Sequence, residues 1–280
     1  MTGMIINTNI PSLNSQRVLD RTNNDLKTSM ERLSSGLRVN SAKDDAAGLA
    51  ISNRMTSQIR GMTVAIRNAS DGISLAQTAE AAMGILTETM QRMRDLAVQS
   101  ANDGAVTGQD REKLQAEFKQ LNDELTRIIT SSEFNGKKII NGSLAGGVFF
   151  QVGANTSADN RISIDVSDLA LTITDVTLAS IGSGATDIGA RLAIDAIDNA
   201  IKAIDTSRAK LGAVQNRFTT TISNLQSSIE NQSSARSRIT DTDFARETAN
   251  LSRNQILQQA GTAMLAQANQ STQSVLQLLQ

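Results

Sequence analysis

Histidine, cysteine, tryptophan and tyrosine are absent from this 280-residue chain, and proline occurs once. Without imidazole or thiol, the usual zinc ligand sets, a thiol nucleophile and an imidazole base are excluded. Serine, lysine and carboxylates remain, so chemistry is poorly supplied; no cofactor or metal is expected, and the chain does not read as an enzyme. A chain without cysteine tolerates oxidising surroundings and a reducing cytosol alike. The net charge of −1 offers no basic excess for nucleic acid or an anionic membrane surface. No apolar run approaches the ~18 residues of a membrane span. The opening MTGMIINTNIPSLNSQ lacks the basic and apolar blocks of a Sec signal, so export is expected to use another route. Aromatics make up only 2% and hydrophobics 39%. Such a chain cannot build a thick core of rings, but it can build thin helical seams.

Those seams are present. Met55, Ile59, Met62, Ile66, Ala69, Ile73, Ala76, Glu80, Met83, Thr87, Met90, Arg94 and Ala97 alternate steps of four and three, with ten of thirteen apolar. This is a sustained heptad stripe. A second stripe runs from Ile194 to Ile229 through Ile201, Leu211 and Phe218. A third joins Leu114, Phe118, Leu121, Leu125 and Ile128, with Asp123 and Arg127 spaced for an i,i+4 ion pair. Weaker stripes mark both ends: Leu19, Asn23, Leu26, Met30, Leu33 and Leu37, then Leu257, Gly261, Met264, Ala268, Ser271, Val275 and Leu278. Pro11 suits the first turn of the opening helix. Between residues 141 and 189 glycine is frequent and the period falls to two. GVFFQVGANTSADNRISIDV alternates like a hairpin, and LALTITDVTLASI is β-prone by content. The expected fold is mainly α: a long coiled-coil or helical-bundle rod with a small β-hairpin element and paired N- and C-termini.

Three stretches invite a chemical reading. Lys43, Asp44 and Asp45 could form a general-base cluster; the alternative is a solvated helix start capped by Ser41 or Asp44. With Gly36 as the preceding helix cap, the Ser34–Ser52 segment reads better as a joint. GSGATDIG, at Gly182–Gly189, has neither a G-K-S/T ending nor a strict G-x-G-x-x-G spacing, and reads as a loop before a long helix. The terminal stripes are flanked by Asn, Gln, Ser and Thr, and no charge follows Arg253. A lone helix of this kind is marginal in water. Two readings stay open: ends that order on self-assembly, or an ordinary intramolecular coiled coil.

Two long segments, SLNSQRVLDRTNNDLKTSMERLSSGLRVNSAKDDAAGLAISNRM and TDTDFARETANLSRNQILQQAGTAMLAQANQSTQSVLQLLQ, resemble the N- and C-terminal signatures of bacterial flagellin. QRMRDLAVQSAND and EFNGKKIINGS resemble two further flagellin segments. The resemblance implies a subunit of the helical flagellar filament for motility, extracellular and exported by the flagellar type III apparatus. It implies an inner coiled-coil domain from 1–44 and 241–280. A rod domain follows, from helices at 45–140 and 190–240, with 141–189 as a hairpin and loop region in place of outer domains. Implied self-assembly residues are Leu19, Leu26, Met30, Leu33, Leu37, Leu257, Met264, Ala268, Val275 and Leu278. Implied partners are further copies of the chain, an export chaperone at Leu251–Gln280, the filament cap and hook-junction proteins, and the host's Toll-like receptor five. For that receptor the matching residues are Arg92, Leu96 and Glu117, and Met93 departs from the smaller aliphatic residue usual in the family. Neither nucleic-acid binding nor membrane insertion is implied.

The alternatives are a hook–filament junction protein, which shares the ends, and a secreted membrane-active translocator, which the polar-flanked ends disfavour. A protease carried in the outer region needs H-E-x-x-H, and the chain has no histidine.

Overall fold

The apolar stripes become helices in the computed structural model, which describes residues 8–182 and 187–277. Helix α1 spans Ile10–Ser35, α2 Ala46–Ser100, α3 Gly108–Ser131, α6 Asp187–Thr240 and α7 Phe244–Gln277. Two short helices, α4 at Leu169–Thr172 and α5 at Thr174–Leu178, lie between. Among the described residues there are also four strands, β1 Glu133–Phe134, β2 Lys137–Lys138, β3 Val148–Gln151 and β4 Arg161–Ile164, and a 3-10 turn at Ala158–Asn160. The GSGATDIG stretch falls partly outside the described residues. The chain divides into two compact units, one from Met1–Ser57 with Asn231–Gln280, the other Gln58–Glu230.

In the second unit the core follows the predicted stripes. Met83, Met90, Phe118, Leu125, Ile204, Leu211 and Phe218 are all buried. Phe218 meets Phe150 edge to face, with ring centroids 5.8 Å apart. Gly72 makes room for that ring: a Cβ there would stand 2.7 Å from Phe218 Cζ. Polar ties fix the loops. Arg111 is buried and donates to Ser100 O at 3.1 Å and to the Asp103 carboxylate. Ser100 Oγ donates to Ile181 O at 2.6 Å, and Gln115 Oε1 accepts from Ile181 N at 2.6 Å. The predicted hairpin forms as antiparallel β3 and β4, pairing Phe150 with Ile162.

Two expectations are corrected here, and one hairpin is added. LALTITDVTLASI is helical as far as Leu178, not extended. Asp168 Oδ1 accepts from Ala170 N at 2.9 Å and caps α4. Leu169, Ile173 and Val176, spaced four and three, bury their side chains, so the helical period outweighs β-branched content. Arg127 pairs with Glu124, Nε to Oε2 at 2.7 Å, rather than with Asp123. The β1–β2 hairpin is additional. Its turn is Asn135-Gly136, with φ of 50° and 74°, the positive values that favour this dipeptide.

Candidate assembly site

In the first unit α1 and α7 pair, so the two ends of the chain meet. The pairing starts at a cap. Asn9 Oδ1 accepts from Ser12 N at 3.1 Å, while Asn9 Nδ2 donates to Ala268 O at 3.0 Å. One side chain therefore caps the start of α1 and binds α7. Ser12 Oγ donates to Asn269 Oδ1 at 2.9 Å, and Gln258 Nε2 to Asn23 Oδ1 at 2.8 Å. At the other end Arg32 reaches buried Glu247 at 3.9 Å, and the Arg32 Nε is buried without a hydrogen-bond partner.

The seam differs from the predicted stripe. The most buried positions of α1 are Ser12, Thr22 and Ser29. With half-buried Ser15, Leu19, Leu26 and Leu33 they form one heptad row. Leu37 is also half-buried, past the end of α1. Small side chains let the helices approach: a Cβ on Gly261 would come within 3.2 Å of Leu19 Cδ1. Ala268 is half-buried on the inner side of α7. Met30 is 49% exposed, Leu257 47% and Met264 62%, so these three leave the seam and face outward. Val275 belongs to α7, and Leu278 lies outside the described residues. Leu13, Val18 and Ile256 are also exposed. A single pair of helices thus covers a seam of small polar residues and half-buried leucines and leaves a second set of large apolar side chains uncovered.

The Ser34–Ser52 segment is a joint. Gly36 ends α1 with φ 70° and donates its N–H to Arg32 O at 2.9 Å. Past it, Arg38 N donates to Thr240 O at 2.7 Å and Thr242 N to Gly36 O at 3.0 Å, a short bridge between the two helix connections. Asp44 accepts from Ser41 N at 2.9 Å, Ser41 Oγ at 3.0 Å and Asn40 N at 3.2 Å. The Ser41 backbone N–H, then its hydroxyl, hold the Asp44 carboxyl below its ordinary value. Asp45, rather than Ser41 or Asp44, caps α2, accepting from Gly48 N at 2.8 Å. Gly48 lies in the first turn of α2. Asp241 is likewise held low by the Ser237 hydroxyl, then by that of Thr240. These carboxylates are committed acceptors, which suits a joint and not a general base.

In the second unit Arg92 and Glu117 form an exposed pair across α2 and α3, with Nε and a terminal nitrogen donating to Oε1 at 3.0 and 2.7 Å. Leu96 is only 1% exposed and belongs to the core, so it cannot be a surface contact in this conformation. Among the described residues no cluster of three potential metal ligands occurs, and no helix is long and apolar enough to cross a membrane. Asn9, Ser12, Thr22, Ser29 and Gln258 escaped the sequence reading because they are polar. Counting Ser and Thr as seam residues would have found the row.

Comparison with known proteins matches the chain to two family models. Residues 6–145 match the bacterial flagellin N-terminal helical region, and residues 194–279 the bacterial flagellin C-terminal helical region. The flagellin of Halalkalibacterium halodurans is 47% identical over 280 residues, covering 99% of this chain and all of that one. The flagellar filament 33 kDa core protein of Treponema phagedenis is 45% identical over 286 residues, with 99% and 100% covered. The crystal structure of Bacillus cereus flagellin superposes with a TM-score of 0.50 at 29% identity, covering 57% of this chain and 88% of that one. A hook-associated protein structure from Vibrio parahaemolyticus, at 12% identity and TM-score 0.60 over 71% of this chain and all of that one, shares the fold alone. The paired ends, the heptad seams and these matches together establish that this chain belongs to the bacterial flagellin family.

Proposed function

We infer that the chain is a structural subunit that polymerises into the helical filament of the bacterial flagellum, and that its two ends carry the assembly contacts. One observation bears most weight: α1 and α7 leave Leu13, Val18, Met30, Ile256, Leu257 and Met264 exposed, outside the seam between them. Large apolar side chains gain ~1.5–3 kcal/mol each when fully covered. Neighbouring copies are the natural cover, since many modest contacts add along a filament. A subunit binding head to tail, with a rotation that does not close, extends without limit. Leu19, Leu26, Leu33, Leu37 and Ala268 hold the pair together, while Met30, Leu257 and Met264 meet the neighbours. Deleting Leu251–Gln280 removes most of α7 and should abolish growth on filament seeds, while circular dichroism still reports a folded helical bundle. Normal seeded growth of that truncate would refute the assembly role.

The same reading carries finer expectations. The subunit leaves the cell through the flagellar type III route, a chaperone covers Leu251–Gln280 beforehand, and cap and junction proteins bound the filament. The exposed Arg92–Glu117 pair is the contact offered to Toll-like receptor five, with Leu96 acting by holding α2 in place beneath it. Arg92→Ala should reduce receptor signalling with unchanged helix content; undiminished signalling removes it from the surface.

A further inference from the structure

Because cysteine, tryptophan, tyrosine and histidine are absent, the nine methionines hold the only side chains that a two-electron oxidant attacks readily. Packing divides them. In the second unit Met62, Met83, Met90 and Met93 are buried. In the first, Met55 is half-buried, while Met30 and Met264 stand exposed on the outward sides of α1 and α7. Met1 and Met4 lie outside the described residues. A closed core keeps oxidant from sulfur, so among the described residues the reactive thioethers are those of Met30 and Met264.

The two sites differ in what surrounds the sulfur. A helical side chain lies over the turn before it. Met264 therefore covers Ala260 and Gly261, with Leu257 one turn further back, and none of the three carries a side-chain donor. The backbone N–H groups of that turn are spent within α7. Met30 covers Leu26 and Lys27, and the Lys27 ammonium is a donor on the same stretch of helix. A thioether needs no donor at either place. A sulfoxide is polar and accepts strongly, and once covered it is left unsatisfied wherever no donor meets it.

We propose that Met264 is an oxidation site through which hydroperoxides reversibly switch off self-assembly, with Met30 a second and weaker site; this rests on the assembly role assigned to α1 and α7. The sulfur lone pair attacks one peroxide oxygen. An S–O bond forms and the O–O bond breaks. The departing oxygen takes up the proton and leaves as water when the oxidant is hydrogen peroxide. Sulfur gives up two electrons and the peroxide gains them. Thiol-dependent sulfoxide reductases run the repair: two thiols become a disulfide, and the oxygen leaves as water. The fold is spared, because both sulfurs face away from the seam and the core methionines stay closed. Assembly covers the same side chains, so the switch acts on the free subunit and not on the finished filament.

Full-length monomer exposed to dilute hydrogen peroxide should gain oxygen at Met264 and Met30 before Met83, Met90 or Met93, read by peptide mass spectrometry. Its circular dichroism should not change, while its seeded growth falls about tenfold. Both epimer-specific methionine sulfoxide reductases with dithiothreitol should restore growth. Met264→Leu keeps an apolar side chain and should grow normally with most of the peroxide response gone; adding Met30→Leu should remove the rest. Two failures are separable. Core methionines oxidising first, or a double leucine variant that grows normally yet loses growth to peroxide as the unaltered chain does, overturns the oxidation site and leaves the assembly role standing. Should the double variant not grow, the repair arm decides, and unrecovered growth after both sulfurs are reduced overturns the proposal. Met264 oxidising as fast in finished filaments as in the monomer overturns the covered surface on which both readings depend.

Discussion

The two units fill their heptad rows differently: large apolar side chains are fully buried in the second, while in the first only small polar ones are and the leucines of the row stay half-buried. In the second unit the α2 and α6 rows bury Met83, Met90, Ile204, Leu211 and Phe218. In the first, the α1 row buries Ser12, Thr22 and Ser29 and turns Met30 outward. A heptad row decides which side of a helix faces its partner, but not how much free energy that contact yields. Burial of large apolar groups makes the second unit self-sufficient. Hydroxyls and amides in the first yield only ~0.5–1.5 kcal/mol per net hydrogen bond, so its stability waits on further contacts.

The comparison can be broken at its strong end first. Phe218→Ala removes the ring that Gly72 accommodates and should destabilise the second unit by about 3–5 kcal/mol, read as a shifted urea midpoint. A loss below ~1 kcal/mol would mean that this core is no better packed than the polar seam. In native-state hydrogen exchange of the dilute monomer, amides of α1 and α7 should exchange far sooner than those of α2 near Met83. Equal protection in both units would remove the contrast altogether.

Smaller effects sharpen it. Gly36→Ala forces a side chain into φ 70° and should cost about 1 kcal/mol, measured as weaker protection of the α1 C-terminus. Asp44 and Asp241 both have lowered folded-state values, so their contribution is complete above the ordinary carboxylate range near pH ~4. It is lost as pH falls through the folded values, because the unfolded chain takes up those protons first. Acidification below about pH 4 should therefore loosen the joint at Gly36–Thr242, seen as faster exchange there, and neutral-to-alkaline pH should not. Smallest on the lone chain is Met264→Gln. It should change monomer stability by no more than ~0.5 kcal/mol while slowing seeded growth, which separates a surface that serves neighbours from one that serves the fold.

Much of this was legible in the sequence. The five long helices follow from the heptad rows, the Pro11 first turn from its position, and the β3–β4 hairpin from strict alternation. The ion-pair partner of Arg127 was not, since i,i+3 and i,i+4 carboxylates both lie within reach and side-chain geometry chooses. Nor was the helicity of Leu169–Leu178, where an Asp168 cap and burial of Ile173 and Val176 overrode β-branched content. The predicted α1 stripe shares Leu19, Leu26 and Leu33 with the inner row but takes Asn23 and Met30 where Thr22 and Ser29 are buried, because closeness to α7 selects small side chains at those alternate positions.

What the sequence by itself determined is therefore periodicity and chemical supply: helices with seams, a hairpin between them, and no imidazole or thiol to support catalysis. Which residues of each seam meet their mate, which remain outward for other copies, and which carboxylate caps which helix were decided only in three dimensions. Those outcomes depend on the distance between helix axes, and that distance is set jointly by side chains more than 200 residues apart, as where Asn9 meets Ala268.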